Sequence, residues 1–354
     1  MDTRRHFSRP HVRQGMAIAA LAVLGGAALA CPPLTHACDL CAIYTATEGR
    51  ETRPGLWAGV AEQYGHFTTL KLDGDEVDNP ADQRLDSSIT QILLGYNVIP
   101  AVGFQLNVPI ISRTYRRIEN GGIDHGDVAG FGDLALLGVW RPYSRVGDES
   151  VLRFSLVGGL KFPSGSADRL QEEVGEDHNH DMQADHDHDS GAGEGSEQGM
   201  ANAIHGHDLA LGSGSVDGIL GGQIHASWRR AFVTAALQYR MRTEGSYDYR
   251  YANDLWWSGG PGFYVLLGED LLGRDYTLAI QAVVSGEYKG KDELDGDDVG
   301  DTALTAVYLG PALSCTWGTS LGADLAADLP VEQDTSDLQI VPDYRIRGGV
   351  TWHF

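Results

Sequence analysis

One segment of the sequence concentrates side chains that can bind transition-metal ions. Residues 166–213 contain six of the chain's 13 histidines, in H-x-H pairs: His178, His180, His186, His188, His205 and His207. Neutral imidazole is the commonest nitrogen ligand for zinc, copper and nickel, and flanking carboxylates such as Asp185 and Asp187 supply oxygen ligands. The pattern predicts binding of Zn, Cu or Ni ions. The alternative, a hydrated acidic loop, explains the carboxylates but not the paired histidines.

A second candidate site is the C-x-x-C motif formed by Cys38 and Cys41. A histidine directly after the second cysteine would be typical of haem attachment, but Ala42 stands there. In an oxidising compartment the pair would form a disulfide, or it would hold a soft metal ion such as Cu⁺ or Zn²⁺ together with His36. Thioredoxin-like redox exchange is less favoured because no βαβ pattern surrounds the motif.

The charge and hydropathy of the chain exclude several classes of protein. Its 354 residues carry a net charge of −23, which argues against a nucleic-acid partner because such a partner needs a basic face. A helical membrane protein would contain apolar runs of about 20 residues, and the one comparable run is a shorter one near the N-terminus. A membrane β-barrel remains compatible, since its apolar residues alternate with polar ones.

The first 30 residues have the three parts of a signal peptide. Four arginines precede an apolar stretch from Met16, and Ala28-Leu29-Ala30 is an A-x-A cleavage site. An arginine pair near the start leaves twin-arginine export as an alternative, and Cys31 leaves lipidation as another. We expect residues 31–54 to form a short periplasmic leader or plug that carries the C-x-x-C motif.

From Gly55 onward the sequence alternates between apolar and polar residues in twelve segments. In the last segment the apolar residues Tyr344, Ile346, Val350 and Trp352 fall on one face of an extended chain. The polar residues fall on the other face: Arg345, Arg347, Thr351 and His353. Segments of about 10 residues match the length of a membrane-spanning strand. The twelve segments are residues 55–70, 88–99, 101–118, 130–144, 151–165, 214–230, 231–245, 254–268, 275–290, 301–315, 319–332 and 343–354.

The connections between these segments alternate in length. Tight turns such as Ile99-Pro100 and Arg229-Arg230 are interleaved with long polar stretches, of which 166–213 is the longest. Bacterial outer-membrane barrels have short periplasmic turns, long external loops and an even number of strands. The sequence therefore predicts an all-β fold: a transmembrane antiparallel up-and-down barrel of about 12 strands over residues 55–354. It would lie in the outer membrane of a Gram-negative bacterium.

The expected partners of such a barrel follow from its location. They are outer-membrane lipid, lipopolysaccharide and the barrel assembly machinery, which would read the aromatic residue Phe354 at the end of the last strand. If the apolar faces meet lipid, four arginines point into the lumen: Arg240, Arg242, Arg345 and Arg347. They would form an anion-favouring constriction or be neutralised by luminal carboxylates.

Three short motifs carry a family resemblance. Gly130-Phe131-Gly132-Asp133, Lys161-Phe162-Pro163-Ser164-Gly165 and Leu211-Gly212-Ser213-Gly214-Ser215-Val216-Asp217 occur in this order near strand ends. Their order and spacing resemble those of the phenol degradation meta-pathway outer-membrane family, whose members are regarded as porin-like transporters. The long insertion between the second and third motifs departs from that family's pattern. The resemblance implies a transport function for the stretch from Leu56 to Phe354.

These observations together predict an outer-membrane channel or transporter for divalent metal ions that bind the histidine-rich loop. The resemblance supports an alternative substrate, small hydrophobic or aromatic molecules. A further alternative is a barrel scaffold for a periplasmic or electron-transfer partner. We expect no enzymatic activity, because the sequence contains no serine–histidine pair in a defined catalytic context.

Overall fold

The computed structural model describes residues 53–174, 201–270 and 273–354, and these residues form a closed antiparallel β-barrel with twelve staves. The predicted signal peptide and most of the predicted leader, with Cys38 and Cys41, lie outside the described residues. The strands are β1 (Gly55–Leu72), β2 (Asp75–Val77), β3 (Arg84–Ile99), β4 (Val102–Glu119), β5 (Gly122–Phe131), β6 (Leu134–Val146), β7 (Ser150–Phe162), β8 (Asp217–Trp228), β9 (Ala231–Met241), β10 (Tyr249–Arg250), β11 (Asp254–Glu269), β12 (Asp275–Lys289), β13 (Glu293–Leu294), β14 (Asp297–Asp298), β15 (Leu304–Trp317), β16 (Leu321–Thr335) and β17 (Leu338–His353).

The barrel closes where the first and last strands pair. Val60 of β1 lies opposite Val350 of β17, and the antiparallel ladder runs along nearly the whole of both strands. Each remaining strand of the barrel wall pairs with the wall strands before and after it in sequence. The strands β2, β10, β13 and β14 are short and lie in the long connections. Closure satisfies the backbone hydrogen bonds at the sheet edges, which a membrane environment requires.

The fourth stave consists of two strands, β5 and β6, separated by Gly132 and Asp133. β5 pairs with the later half of β4 and β6 with its beginning. Residues 119–129, which the sequence suggested to be a loop, are therefore mostly strand. Their polar composition is compatible with a strand because β5 exposes alternate residues along its whole length.

The two faces of the barrel wall have opposite polarity, as the sequence predicted. On β9, Leu237 and Tyr239 are exposed on the outer face, whereas Gln238 and Arg240 are buried on the inner face. On β17, Ile346 and Trp352 are exposed and Arg345 is buried. The outer face is thus mainly apolar, as suits contact with lipid.

Most aromatic residues near the tight turns also face outward. Trp228, Trp317 and Trp352 are about half exposed. Trp57 is an exception, because it points into the barrel and its ring stacks on His353 with centroids 6.1 Å apart. Among the residues that the structure describes, no helix is both long and apolar enough to cross a membrane.

The described parts of the longest connection pack inside the barrel. We name its described parts, residues 163–174 and 201–216, the plug. It contains a 3₁₀ turn (Asp168–Leu170), helical residues 171–174 and a helical turn that we label α1 (Gly206–Leu209). Leu170, Ile204 and Leu209 are fully buried. These parts are therefore not a hydrated loop, the alternative considered from the sequence, because their apolar residues cover apolar side chains inside the barrel.

Candidate functional site

The interior of the barrel has an apolar zone and a polar zone. Around the plug, the apolar zone consists of inward-facing side chains from β1, β3, β4 and β17, namely Phe67, Leu70, Leu85, Ile89, Ile111, Tyr115 and Ile340. Closer to the tight turns lies the polar zone, where inward polar residues such as Gln63, Gln91 and Gln105 are interspersed with buried apolar ones such as Leu93 and Leu137. Because the plug fills the apolar zone, a molecule crossing the barrel must displace or bypass it.

A cavity of about 60 Å³ lies where the two zones meet. Ile89, Ile111 and Leu211 form its apolar side, and Asp133 and Lys161 belong to its polar side. The cavity thus offers apolar contacts beside a few oriented polar groups, which is the composition of small-molecule sites in general.

The three motifs of the sequence meet beside this cavity in one cluster, which we name the motif cluster. Lys161 donates hydrogen bonds to Asp133 Oδ2 at 2.6 Å and to Asp217 Oδ2 at 2.8 Å. The backbone N–H and the hydroxyl of Ser213 also donate to Asp133 Oδ2, each at 3.0 Å. Ser215 donates to Asp217 Oδ1 at 2.8 Å. The cluster connects β6, β7, the plug and β8.

Glycines allow the backbones of the three motifs to approach one another. A Cβ atom on Gly165 would lie 2.7 Å from the carbonyl oxygen of Leu211 and 3.0 Å from Gly132. A Cβ on Gly212 would lie 2.6 Å from the carbonyl oxygen of Gly165. These contacts are too short for any side chain, so the glycines serve close packing. Gly214, with φ at +73°, also needs glycine for its backbone conformation.

The first two predicted luminal arginines lie next to the motif cluster. Arg242 donates to Asp217 and to Asp254, each at 2.9 Å, and its side chain is almost completely buried. Arg240 Nε lies 3.4 Å from Asp254 Oδ1. Both guanidinium groups therefore have carboxylate partners within the barrel.

The other two predicted luminal arginines lie on β17. Arg347 forms a two-pronged pair with Asp328, with distances of 2.7 and 2.8 Å. Arg345 contacts Glu287 and donates to the hydroxyl of Tyr308 at 2.7 Å. This geometry favours internal charge pairing over an anion-selective ring, because each positive charge has an adjacent acid.

Of the predicted metal ligands, the structure describes His205 and His207. The remaining members of the set, His178, His180, His186, His188, Asp185, Asp187, Cys38 and Cys41, lie outside the described residues. His205 and His207 flank the start of α1, and their rings stack with centroids 5.7 Å apart. Together with Asp208 they present three potential ligand atoms within 4.8 Å of one another.

Each of the two histidines faces a carboxylate from another part of the chain. His205 Nδ1 lies 2.8 Å from Asp301, and His207 Nδ1 lies 3.0 Å from Glu173. Burial by itself would lower the pKa of His205, but the Asp301 carboxylate outweighs burial and raises it to about 9. Asp208 and Glu173 likewise raise the pKa of His207 well above its ordinary value despite burial.

Sequence reasoning did not identify Glu173 or Asp301 as part of this group. Both stand among many acidic residues, and nothing in their spacing relates them to the histidines. The motif-cluster residues were noted as a sequence pattern, but their meeting in space was not predicted. Paired charges such as Lys161 and Asp133 become recognisable as a site once the barrel brings β6, β7 and β8 together.

The fold and this interior define a class of protein: a plugged twelve-stranded β-barrel of the Gram-negative outer membrane. The structure is similar to that of the COG4313 outer membrane channel from Pseudomonas putida F1, with a TM-score of 0.57 and 13% identity over 88% of this chain and 100% of that chain. This likeness supports the barrel fold.

Other solved barrels are more distant. The toluene transporter TodX from Pseudomonas putida has a TM-score of 0.33 and 9% identity, covering 91% of this chain and 96% of that chain. The translocator domain of the autotransporter NalP from Neisseria meningitidis has a TM-score of 0.39 and 12% identity, covering 96% and 98%. No family model and no curated protein matches the sequence. The resemblance to the phenol degradation meta-pathway family is thus not confirmed.

Proposed function

We propose that the protein is a gated outer-membrane channel for small apolar molecules, aromatic compounds included, and that it acts without catalysis. The observation that carries this proposal is the apolar zone inside the barrel. Ile89, Ile111 and Phe67 form part of a hydrophobic inner surface, which the apolar residues of the plug cover. When the plug moves, an apolar solute can replace the contacts that the plug makes.

Transport of a hydrated metal ion is less compatible with the same interior. An ion that loses water on entry needs replacement ligands along its path, and the apolar zone offers few. The charged residues beyond that zone, such as Arg242 and Asp217, are paired with one another. Metal transport, the first prediction from the sequence, therefore has no support, and we assign the metal ligands a different role below.

The proposal includes the surroundings of the barrel. Its outer apolar face would contact outer-membrane lipid and the acyl chains of lipopolysaccharide. A lipopolysaccharide leaflet hinders apolar solutes, so a channel with an apolar interior offers them a route that simple diffusion does not.

Uptake into cells tests the proposal with a matched pair of variants. Ile111 faces the interior and is 2% exposed, whereas its neighbour Ile110 faces lipid and is 36% exposed. We expect cells producing the wild-type protein to take up a labelled monoaromatic compound faster than cells without it. Ile111→Gln should slow this uptake, because it places a polar group in the path, and Ile110→Val should not. Equal uptake with and without the protein would refute the proposal, provided that the barrel is present and folded.

A further inference from the structure

The histidine pair of the plug has the arrangement of a metal centre. His205 precedes the helical turn α1, His207 and Asp208 lie within it, and one ligand atom of each lies within 4.8 Å of the other two. The side chain of His207 is 6% exposed and that of His205 13% exposed, whereas Asp208 is one-third exposed. The group is thus enclosed on the histidine side and open beside the carboxylate.

Two further carboxylates orient the imidazole rings. Asp301 accepts from His205 Nδ1 and Glu173 accepts from His207 Nδ1. A hydrogen bond at Nδ1 fixes the ring and leaves Nε2 as the ligand atom, which is how carboxylates support histidines in zinc sites. His207 Nε2 already points towards Asp208, with 3.5 Å between Nε2 and Oδ1.

We propose that His205, His207 and Asp208 bind one divalent transition-metal ion, with Asp301 and Glu173 as the supporting carboxylates. Two imidazoles and one carboxylate favour Zn²⁺, Cu²⁺ or Ni²⁺ over Ca²⁺ and Mg²⁺, which prefer sites made of oxygen ligands. Three protein ligands leave one position of a tetrahedral ion for water, on the open side at Asp208.

The charges around the site suit a cation. Glu173, Asp208 and Asp301 contribute three negative charges, and a divalent ion compensates two of them when both imidazoles are neutral. The basic groups beside the site have partners of their own: Arg117 donates to the carbonyl oxygen of Ile204 and pairs with Glu172 at 2.9 Å. Lys289 pairs with Asp292 at 2.6 Å, and Arg113 donates to backbone carbonyl oxygens of the plug.

The position of the site indicates what the ion does. The three ligands belong to the returning part of the plug, while Glu173 belongs to its first part and Asp301 to the connection between β14 and β15. The ion would therefore tie three segments together at one end of the barrel. The role goes beyond the proposed channel function, and each can fail without the other.

Metal binding by the full-length protein in detergent tests this proposal. We expect the metal-stripped protein to bind one Zn²⁺ tightly in calorimetry, and His205→Gln combined with His207→Gln to weaken that binding at least 100-fold. The control is a variant in which His178, His180, His186 and His188 are replaced by alanine. This variant should still bind one Zn²⁺ with the wild-type affinity. A double variant with unchanged affinity, or a control that loses the tight ion, would overturn the proposal.

A second measurement does not depend on whether the variants fold. X-ray absorption of the wild-type protein with one equivalent of Zn²⁺ should show two imidazole ligands and further oxygen ligands at about 2.0–2.1 Å. A coordination sphere without imidazole, or one made of sulfur, would exclude this site. Glu173→Gln should weaken binding about 10- to 100-fold, as expected of a supporting carboxylate.

Discussion

Lys161 on β7 lies 2.6 Å from Asp133, which immediately precedes β6, and this contact joins two motifs that are 28 residues apart in sequence. Asp217 of the third motif accepts from the same ammonium group. In the sequence these motifs are compatible with ordinary turns at strand ends. In the barrel they form one buried charged cluster that holds the base of the plug against the wall.

Replacing Lys161 by methionine should destabilise the barrel strongly. Its side chain is 6% exposed, and its loss leaves Asp133 and Asp217 buried without their shared cation. Breaking a buried ion pair from one side typically costs about 3–5 kcal/mol. Urea unfolding in phospholipid vesicles, followed by tryptophan fluorescence, measures the change in the free energy of unfolding.

The control for this prediction is an ion pair at the surface. Arg229 and Glu149 lie 3.2 Å apart, but their side chains are 63% and 54% exposed. Arg229→Met should change the free energy of unfolding by less than about 1 kcal/mol, because solvent screens such pairs. If Lys161→Met were as mild as this control, the motif cluster would not stabilise the barrel.

Gly165→Ala should disturb the same cluster by crowding alone. The added Cβ would lie 2.7 Å from the carbonyl oxygen of Leu211, and neither backbone can move without shifting the plug. Overpacking of this kind costs about 1–3 kcal/mol. Gly138→Ala is the matched control, since the nearest atom to its new Cβ would be 3.6 Å away. The same unfolding assay applies, and equal effects of the two substitutions would contradict the close packing described here.

How much of the molecule was predictable depends on the range of the interactions involved. The alternation of Leu237 with Gln238 is a local property of the sequence, and it predicted correctly which face meets lipid. The alternation of short and long connections likewise predicted the strand order. β5 was missed because its polar residues resemble a loop, although β4 pairs with it over ten residues.

The sites were less predictable because they form between distant residues. His207 and Glu173 are 34 residues apart, and their contact depends on the plug folding back into the barrel. The burial of the plug itself depends on apolar residues such as Ile204 and Leu209, which stand in a segment rich in glycine and acid. Local patterns carry no information about which wall such residues cover.

Ile204→Asp should open the channel. Ile204 is fully buried and packs in a cluster with Phe67 and Leu85, so a carboxylate there would expel this part of the plug from the interior. Conductance in planar bilayers should rise above that of the wild-type protein. Val174→Asp is the control, because Val174 belongs to the same plug but is 40% exposed, and its conductance should stay at the wild-type value. Unchanged conductance in Ile204→Asp would mean that the plug does not block the pore.

Zinc binding at the proposed site should release at least one proton per ion near neutral pH. Neighbouring carboxylates favour the protonated imidazoles: Asp301 raises the pKa of His205 to about 9, and Asp208 and Glu173 raise that of His207 well above its ordinary value. A metal ion binds neutral imidazole, so each bound ion must displace these protons. The apparent affinity should therefore increase as the pH rises towards 9 and weaken by about 10-fold or more for each pH unit below neutrality. Calorimetry at one pH in two buffers of different ionisation enthalpy counts the released protons. Release of no protons would mean that the imidazoles are neutral before binding or that the ion binds elsewhere, and the variant with His178, His180, His186 and His188 replaced should release the same number as the wild-type protein.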